Sequence, residues 1–202
     1  MASTGTITFT AADGTNINTL GFTNDYGTPT VQTNQCSIIT DDAAHIRSRY
    51  TATAMETNNH YVQCEFVSGI IRLTARQASA TNTKYTLKML DEFQGNVDLC
   101  VVSAGTTTVL DFWDRNTAPG QTFKLEVTGS DQNGYHEGIL QVNASDTTIT
   151  TGLFCGLDAT IYTSGVLDDW IAEDLAAGGV IGSRFMKSNL WPTVELFKGS
   201  NL

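Results

Sequence analysis

The feature that most constrains this chain is an alternation of apolar and polar residues that recurs along most of its length. In residues 61–67, Val62, Cys64 and Phe66 alternate with polar side chains. Successive side chains of a β-strand point to opposite faces, so this pattern predicts one buried and one solvated face. Similar alternation marks residues 6–10, 71–76, 84–89, 97–101, 123–127 and 140–143. The chain is therefore predicted to consist of antiparallel strands.

Turn-forming residues separate these segments. Gly, Asn, Asp and Pro stand at residues 13–14, 95–96, 118–120 and 133–134. Strands at intervals of about 8–12 residues with such turns predict a sandwich or a barrel. A length of 202 residues allows one large β domain with its own core.

The charge balance limits the partners. The chain carries 21 acidic and 11 basic residues, with a net charge of −10. An acidic chain without a basic stripe along the sequence is repelled by nucleic acid phosphates and by anionic membranes, so neither partner is expected. No apolar run approaches the 18 residues of a membrane-spanning helix.

The cysteines and the first residues bear on the compartment. The four cysteines, Cys36, Cys64, Cys100 and Cys155, lack the short paired spacing of zinc sites. The first ten residues have neither the basic stretch nor the apolar segment of a signal peptide. We therefore expect synthesis in a cytoplasm, where thiols stay reduced, and buried free cysteines. A disulfide formed later, outside the cell, is the alternative.

The order of several motifs resembles the laminin-G-like modules of the concanavalin-A-like lectin/glucanase superfamily. Residues 7–15 are similar to the first strand and its Asp-Gly turn, and residues 72–77 with 84–90 resemble the family's central hairpin. Residues 153–156 and 167–170 are similar to its closing pair. The similarity covers about residues 5–174. It implies an all-β jelly roll, a two-sheet antiparallel β-sandwich with one concave face.

The resemblance also bears on the end of the domain. Residues 167–175 have apolar residues at helical spacing, but the family favours a final strand with Leu167, Asp169 and Ile171 on one face. We therefore expect a domain at residues 1–175 and a C-terminal extension at 176–202. The aromatic residues Phe185, Trp191 and Phe197 of this tail pack on the domain or on a neighbouring subunit.

Catalytic motifs are not found in the sequence. The glucanases of the superfamily use Glu-x-Asp-x-x-Glu on one strand, and this chain lacks that motif. The three histidines, His45, His60 and His136, are scattered and are interpreted as polar surface or strand-end residues, and no nucleophile elbow is present. The chain is therefore not expected to be an enzyme.

Two kinds of binding site are candidates. Some related modules hold Ca²⁺ between their first and last strands, and the matching positions are Asp13 and Asp169. Two carboxylates do not specify a calcium site, so the alternative is a turn-forming and a strand-end acid, with no cofactor. Exposed aromatic side chains can stack on sugars, which makes Trp113, Tyr135 and Tyr162 candidates for glycan binding, with a role in covering the core as the alternative.

Two functions follow from these observations. The first is a structural virion protein of a bacterial virus, such as a capsid decoration protein or a head or tail fibre component on the virion surface. Its partners are the capsid shell and other copies in a trimer or dimer. The alternative is a lectin-like adhesion module that binds a surface glycan without catalysis.

Overall fold

The computed structural model describes residues 1–39, 46–78, 82–90, 96–115, 117–159 and 164–175. These residues form thirteen β-strands and one short 3-10 helix, Ile17–Leu20. No helix among them is long and apolar enough to cross a membrane. In chain order the strands are β1 (Phe22–Tyr26), β2 (Thr30–Gln32), β3 (Gln35–Ile39), β4 (Ile46–Tyr50), β5 (His60–Gln77), β6 (Lys84–Leu90), β7 (Asn96–Ser103), β8 (Thr106–Asp114), β9 (Gln121–Thr128), β10 (Asp131–His136), β11 (Ile139–Ser145), β12 (Phe154–Ala159) and β13 (Ser164–Asp174).

The strands form two antiparallel sheets that share the long strand β5. Sheet I has the order β2-β3-β13-β5-β9-β10-β11 and uses residues 60–69 of β5. Sheet II has the order β1-β4-β12-β5-β6-β7-β8 and uses residues 70–77. The predicted all-β, two-sheet sandwich is confirmed.

Strand β5 passes from one sheet to the other at Gly69, which has a positive φ of 77°. Gly69 lies opposite Gly165 of β13. A Cβ atom at position 69 would overlap the backbone carbonyl of Ser164, so only glycine allows the two strands to approach this closely.

The apolar faces of both sheets meet in one core. Val62, Cys64 and Phe66 are fully buried, as their alternation predicts. Trp170 is also fully buried and packs edge-on against Phe22. The expected buried free thiols are confirmed, since all four cysteines are buried and unpaired.

Two strand faces differ from the sequence prediction because each pairing contains a β-bulge. Between Asp168 and Ile171 the register of β13 shifts, and Asp169 has a φ of 48°. Trp170 therefore joins Leu167 in the core while Asp169 is exposed, so the predicted shared face of 167, 169 and 171 is wrong. The segment is a strand, as favoured.

A second bulge changes the face of β11. The register shift at Gly134/Tyr135 places Leu140 opposite Tyr135, whereas Val142 lies opposite Gly134. Leu140 is exposed and Val142 is buried, so the prediction that both face the core is wrong for Leu140.

His60 is a strand-end residue, which was one of its two interpretations, because it begins β5. It does not lie at the surface, since it is fully buried. Its Nε2 atom accepts the backbone N–H of Arg76 at 3.1 Å, and its Nδ1 atom lies 3.0 Å from the carbonyl oxygen of Thr57. The backbone groups of Arg76 and Thr57 therefore take the place of the water molecules to which a surface histidine would hydrogen-bond.

Several sequence predictions fall outside the described residues. His45, the aromatic candidate Tyr162 and the tail residues Phe185, Trp191 and Phe197 belong to this group. The division into a domain at 1–175 and an extension at 176–202 stays a prediction.

Candidate ligand-binding face

A row of seven side chains crosses the outer face of sheet II from edge to edge. Residues directly opposite each other in an antiparallel pair point to the same side of the sheet. Strands lie about 4.8 Å apart, so a row across seven strands spans roughly 29 Å. The row consists of Tyr26, Arg47, Asp158, Arg72, Lys88, Asp98 and Phe112.

A second row runs beside the first on the same face. It contains Arg49, Gly156, Thr74, Thr86 and Cys100, in that order across five strands. The residues between these rows, such as Leu73, Leu87 and Leu157, point the other way into the core. Successive side chains of each strand therefore point alternately into the core and to the outer face of sheet II.

The polar side chains of this outer face are unusually buried. Lys84 is 1% exposed, Asp158 5% and Arg47 7%, and Thr74 and Thr86 are fully buried. Lysine, arginine and aspartate are rarely buried to this degree on a sheet that faces solvent. The outer face of sheet II is therefore a recessed polar surface.

Asp25 of β1 holds the arginines of this face together. Its carboxylate accepts hydrogen bonds from Arg49 Nε at 2.8 Å and Arg49 Nη2 at 2.7 Å, which is a two-point contact. It also lies 3.3 Å from Arg47 Nε and accepts a hydrogen bond from Gln77 Nε2 at 3.2 Å. These contacts fix both guanidinium groups in position.

The lysines of the face are also paired with acids. Lys84 forms an ion pair with Asp158, and Lys88 donates to Asp98 at 2.9 Å. Burial lowers the pKa of Lys84, and the neighbouring Arg47 and Arg72 lower it further, while Asp158 opposes the shift. The pKa of Lys84 is therefore lowered mainly because its side chain is buried.

Several polar atoms of the face lack a hydrogen bond. Of the ten buried side-chain atoms without a partner among the described residues, five lie here. Arg47 Nε and Lys84 Nζ are in ion pairs with Asp25 and Asp158, whereas Arg72 has no ion pair with another described residue. Buried polar atoms without partners are costly, so these groups are candidate contacts for a polar ligand. The five atoms are Arg47 Nε, Arg72 Nε, Lys84 Nζ, Thr86 Oγ1 and Asp158 Oδ1.

An exposed aromatic ring stands at each end of the central row. Tyr26 and Phe112 are each 59% exposed. The guanidinium carbon of Arg47 lies 4.9 Å from the ring centroid of Tyr26, which helps to hold that ring in place. The face therefore combines buried hydrogen-bonding groups with open aromatic rings at its edges.

The structure does not bring the predicted sugar-binding residues together. Trp113 lies beside Val97 on the core side of β8, half-buried, with its ring centroid 5.1 Å from that of His136. Tyr135 lies on the outer face of sheet I, where Lys124 Nζ is 4.0 Å from its ring centroid. Phe112, one residue before Trp113, is the aromatic side chain that reaches the outer face of sheet II.

The outer face of sheet I has the opposite charge. Lys124 is its basic residue, held between Tyr61 and Tyr135 and bonded to Glu126 at 2.9 Å. The acidic residues on this face are Glu65, Glu126, Asp131, Asp168 and Glu173.

The predicted calcium ligands lie in different local settings. Asp13 Oδ1 accepts the backbone N–H of Thr33 at 2.7 Å, and Asp169 is exposed at the bulge of β13. Within the described ranges no group of three or more His, Cys, Asp or Glu side chains is placed to hold a metal ion. Calcium binding at these two residues stays a prediction.

The sequence analysis missed the basic residues of sheet II. Five of the eleven lysines and arginines of the chain lie on this one face. A signal was present, because basic residues recur at every second or fourth position within β4 and β6. Within a single strand these basic residues are typical of a solvated face. The sequence therefore predicted no basic surface, because a row of side chains across several strands is not visible along the chain. The five residues are Arg47, Arg49, Arg72, Lys84 and Lys88.

Comparison with known proteins identifies the fold. No family model matches the chain, and no curated protein matches its sequence. Solved structures do match. The carbohydrate-binding module CBM66 from Bacillus subtilis superimposes with a TM-score of 0.64 at 17% identity, covering 76% of this chain and 96% of that module.

Two further structures show the same architecture. A protein of unknown function with a galectin-like fold from Bacillus subtilis has a TM-score of 0.63 at 11% identity, covering 86% of this chain and 96% of that one. The exoplasmic/lumenal domain of VIP36, in a Ca²⁺- and mannose-bound form, has a TM-score of 0.55 at 9% identity, covering 88% and 90%. The chain thus has a jelly-roll fold of the galectin-like and concanavalin-A-like kind, as the motif order implied.

Proposed function

We propose that this chain is a carbohydrate-binding module that holds a glycan across the outer face of sheet II. The observation that carries the proposal is the row from Tyr26 to Phe112, in which buried and partly unbonded polar groups lie between two exposed aromatic rings. Ligand sites in proteins combine apolar or aromatic surface with a few fixed polar groups, and this row has both.

The chemistry of the row suits a sugar. Glycan hydroxyls both donate and accept hydrogen bonds, and the face offers donors at Arg72 and Thr86 and an acceptor at Asp158 Oδ1. The names of two structural neighbours support the proposal, since one is a carbohydrate-binding module and the other was solved with mannose. That support is an analogy between folds, and the argument for function rests on the site.

The arrangement of carboxylates favours binding over hydrolysis. Glycosidases place two carboxyl groups about 5–9.5 Å apart across the scissile bond. Asp158 and Asp98 of the central row are three strands apart, roughly 14 Å at the usual strand spacing. Each is also in an ion pair, Asp158 with Lys84 and Asp98 with Lys88, which occupies the carboxylate.

The proposal is tested by binding to a glycan array, followed by titration with the best soluble glycan. Replacement of Tyr26 with Ala is expected to weaken binding by about tenfold, the usual effect of losing an aromatic anchor at an interface. Tyr135→Ala is the matched control, because each tyrosine stacks with one basic side chain but on opposite sheets.

Three outcomes separate the alternatives. Loss of binding in Tyr26→Ala but not in Tyr135→Ala supports the outer face of sheet II. The reverse result moves the site to the outer face of sheet I and overturns this assignment. An array without any bound glycan overturns the proposal as a whole.

Two earlier interpretations keep the status of predictions. The role as a structural virion protein, with its location on a virion surface, rests on composition, and the structural neighbours do not support it. Calcium is a second prediction, and two lectin neighbours were solved with Ca²⁺ and with potassium, respectively.

A further inference from the structure

We propose that the glycan bound on the outer face of sheet II is acidic, so that its carboxylate or sulfate groups contact the basic residues Arg72, Lys88 and Arg47. This inference rests on the proposed function and names the class of ligand. The argument comes from the charge of the face, from the position of Arg72 and from the unbonded donors.

The face concentrates positive charge in an acidic chain. Its described residues include five cations and four carboxylates, Asp25, Asp98, Asp114 and Asp158, which leaves a formal charge of +1. The whole chain has a net charge of −10. Opposite charges are therefore separated in the fold, and an anion that approaches this face is attracted locally although the chain repels it overall.

Arg72 is the cation that most clearly lacks a partner. It lies directly opposite Asp158 of β12, which is paired with Lys84 instead, and directly opposite Lys88 of β6, so two like charges face each other across neighbouring strands. Such pairs destabilise a sheet. Lys88 is bonded to Asp98, while Arg72 has no ion pair with another described residue and its Nε atom has no hydrogen bond. An anionic group beside Arg72 removes the repulsion and supplies the missing acceptor.

The unbonded atoms of the face are mostly donors. Arg72 Nε is a charged donor in no ion pair with another described residue, whereas Arg47 Nε and Lys84 Nζ are charged donors already in ion pairs with Asp25 and Asp158. Asp158 Oδ1 is the one carboxylate oxygen among these atoms. Neutral sugars offer donors and acceptors in similar numbers, but carboxylates and sulfates only accept. The excess of charged donors therefore matches an acidic sugar better than a neutral one.

The outer face of sheet I provides an internal comparison. It combines one cation, Lys124, with five carboxylates, which gives a formal charge of −4. These carboxylates belong to Glu65, Glu126, Asp131, Asp168 and Glu173. Both faces belong to the same sandwich, but among the described residues only the outer face of sheet II has more basic than acidic side chains. An acidic glycan thus has one face of the described structure on which to bind.

The test measures binding of the full chain to three soluble polymers: polygalacturonate, dextran sulfate and neutral dextran. Polygalacturonate carries carboxylates and dextran sulfate carries sulfates. The polymer that the chain binds with higher affinity therefore identifies the acidic group. We expect binding to at least one of them, with affinity that falls as salt is raised. Because the chain carries a net charge of −10, attraction by the chain as a whole cannot account for such binding.

Arg72→Gln is the decisive variant, since Arg72 is in no ion pair with the residues that the structure describes and its removal leaves the network around Asp25 in place. Loss of one charge-assisted hydrogen bond predicts a decrease in affinity on the order of 10- to 100-fold. A thermal melt checks that the variant is folded. If it is not, Lys88→Gln serves in its place.

Lys124→Gln is the matched control for Lys88→Gln. Each lysine is bonded to an acid at 2.9 Å and each side chain is 22% exposed, but they lie on opposite sheets. The control is expected to bind like the unmodified chain.

The outcomes separate this inference from the proposed function. Binding to an acidic polymer that Arg72→Gln weakens, and Lys124→Gln does not, supports the inference. Binding to neutral glycans alone, or acidic binding unchanged in Arg72→Gln, overturns the inference and leaves the carbohydrate-binding function in place. No binding to any glycan of the array or to any polymer overturns both.

Discussion

At the scale of single residues, the polar groups inside the sandwich are held by specific partners. His60 is buried as a neutral ring that accepts from Arg76 and lies against the carbonyl of Thr57. Asp174 accepts the backbone N–H groups of Ala2, Glu56 and Thr57, and although burial raises its pKa, these bonds lower it below the usual value. Such groups couple the stability of the fold to pH.

His60 predicts a loss of stability on mild acidification. Burial lowers its pKa to about 4, with Arg76 adding to the effect and the contact with Thr57 opposing it. The unfolded chain binds a proton near pH 6.5, and the folded chain does so only near pH 4. Stability is therefore fully present above pH 6.5 and decreases as pH falls from 6.5 to 4, by on the order of 3 kcal/mol.

Urea unfolding between pH 7 and pH 4 tests this effect. His60→Gln should be less stable at pH 7 but should lose less stability over this range than the unmodified chain. His136→Gln is the control, because the pKa of His136 is also lowered by burial but the side chain is only half-buried. An unchanged pH slope in His60→Gln would show that His60 is not the group responsible.

At the scale of elements, β5 organises the molecule because it belongs to both sheets. Its first half carries Val62, Cys64 and Phe66 into the core of sheet I, and its second half carries Leu73 into the core of sheet II. The change of sheet requires a close approach to β13 at Gly69 and Gly165. Arg72 lies three residues beyond Gly69, in the half of β5 that belongs to sheet II. Its side chain is therefore on the outer face of that sheet.

Gly69→Ala tests the close approach. Both Gly69 and Gly138 have a positive φ, 77° and 75°, so alanine at either position carries a similar backbone strain of about 1 kcal/mol. At Gly69 the added Cβ also overlaps the backbone of Ser164, whereas at Gly138 nothing lies within 4 Å. We expect Gly69→Ala to be less stable than Gly138→Ala by a further 1–3 kcal/mol in denaturant unfolding. Equal losses would mean that the approach of β5 to β13 is looser than described.

At the scale of the whole molecule, the two ends of the described chain meet at β13. The backbone N–H of Thr4 bonds to the carbonyl of Ala172 at 3.0 Å, and that of Asp174 bonds to Ala2 at 2.9 Å. Leu175 then donates to the carbonyl of Asn59 at 2.8 Å. These bonds tie the first residues of the described chain and Asn59 to its last strand.

Truncation after Leu175 tests the predicted domain boundary. The chain 1–175 is expected to keep its β-rich circular dichroism spectrum and a single cooperative unfolding transition, because the described hydrogen bonds at Asp174 and Leu175 remain. If the tail mediates assembly, the full chain will also have a larger mass in solution than the truncated chain. A truncated chain that does not fold would contradict the boundary.

The candidate site was predicted less well than the fold. Trp113 and Tyr135 were selected because aromatic residues near turns are often exposed, but a shift of one residue along β8 makes Phe112 the exposed ring. The alternation in β6 was interpreted correctly for Leu87 and Met89, while Lys84 and Thr86 on its other face proved buried. The outer-face residues could not be separated from an ordinary solvated face by a pattern within one strand.

The sequence by itself predicted central strands such as β5, β6, β7 and β9, their apolar faces and the free cysteines, because alternation within a strand is a local property of adjacent residues. It did not predict β1 to β4 or β8, and the strand expected at residues 6–10 is wrong, since only an isolated bridge between Ile7 and Trp170 forms there. Only the tertiary structure decided which strands are neighbours, where the bulges at Asp169 and Gly134 reverse a face, and that Arg47, Arg72 and Lys88 form one row. Strand order depends on contacts between residues far apart in the chain. For that reason a charged surface made from several strands emerges only after the sheets have formed.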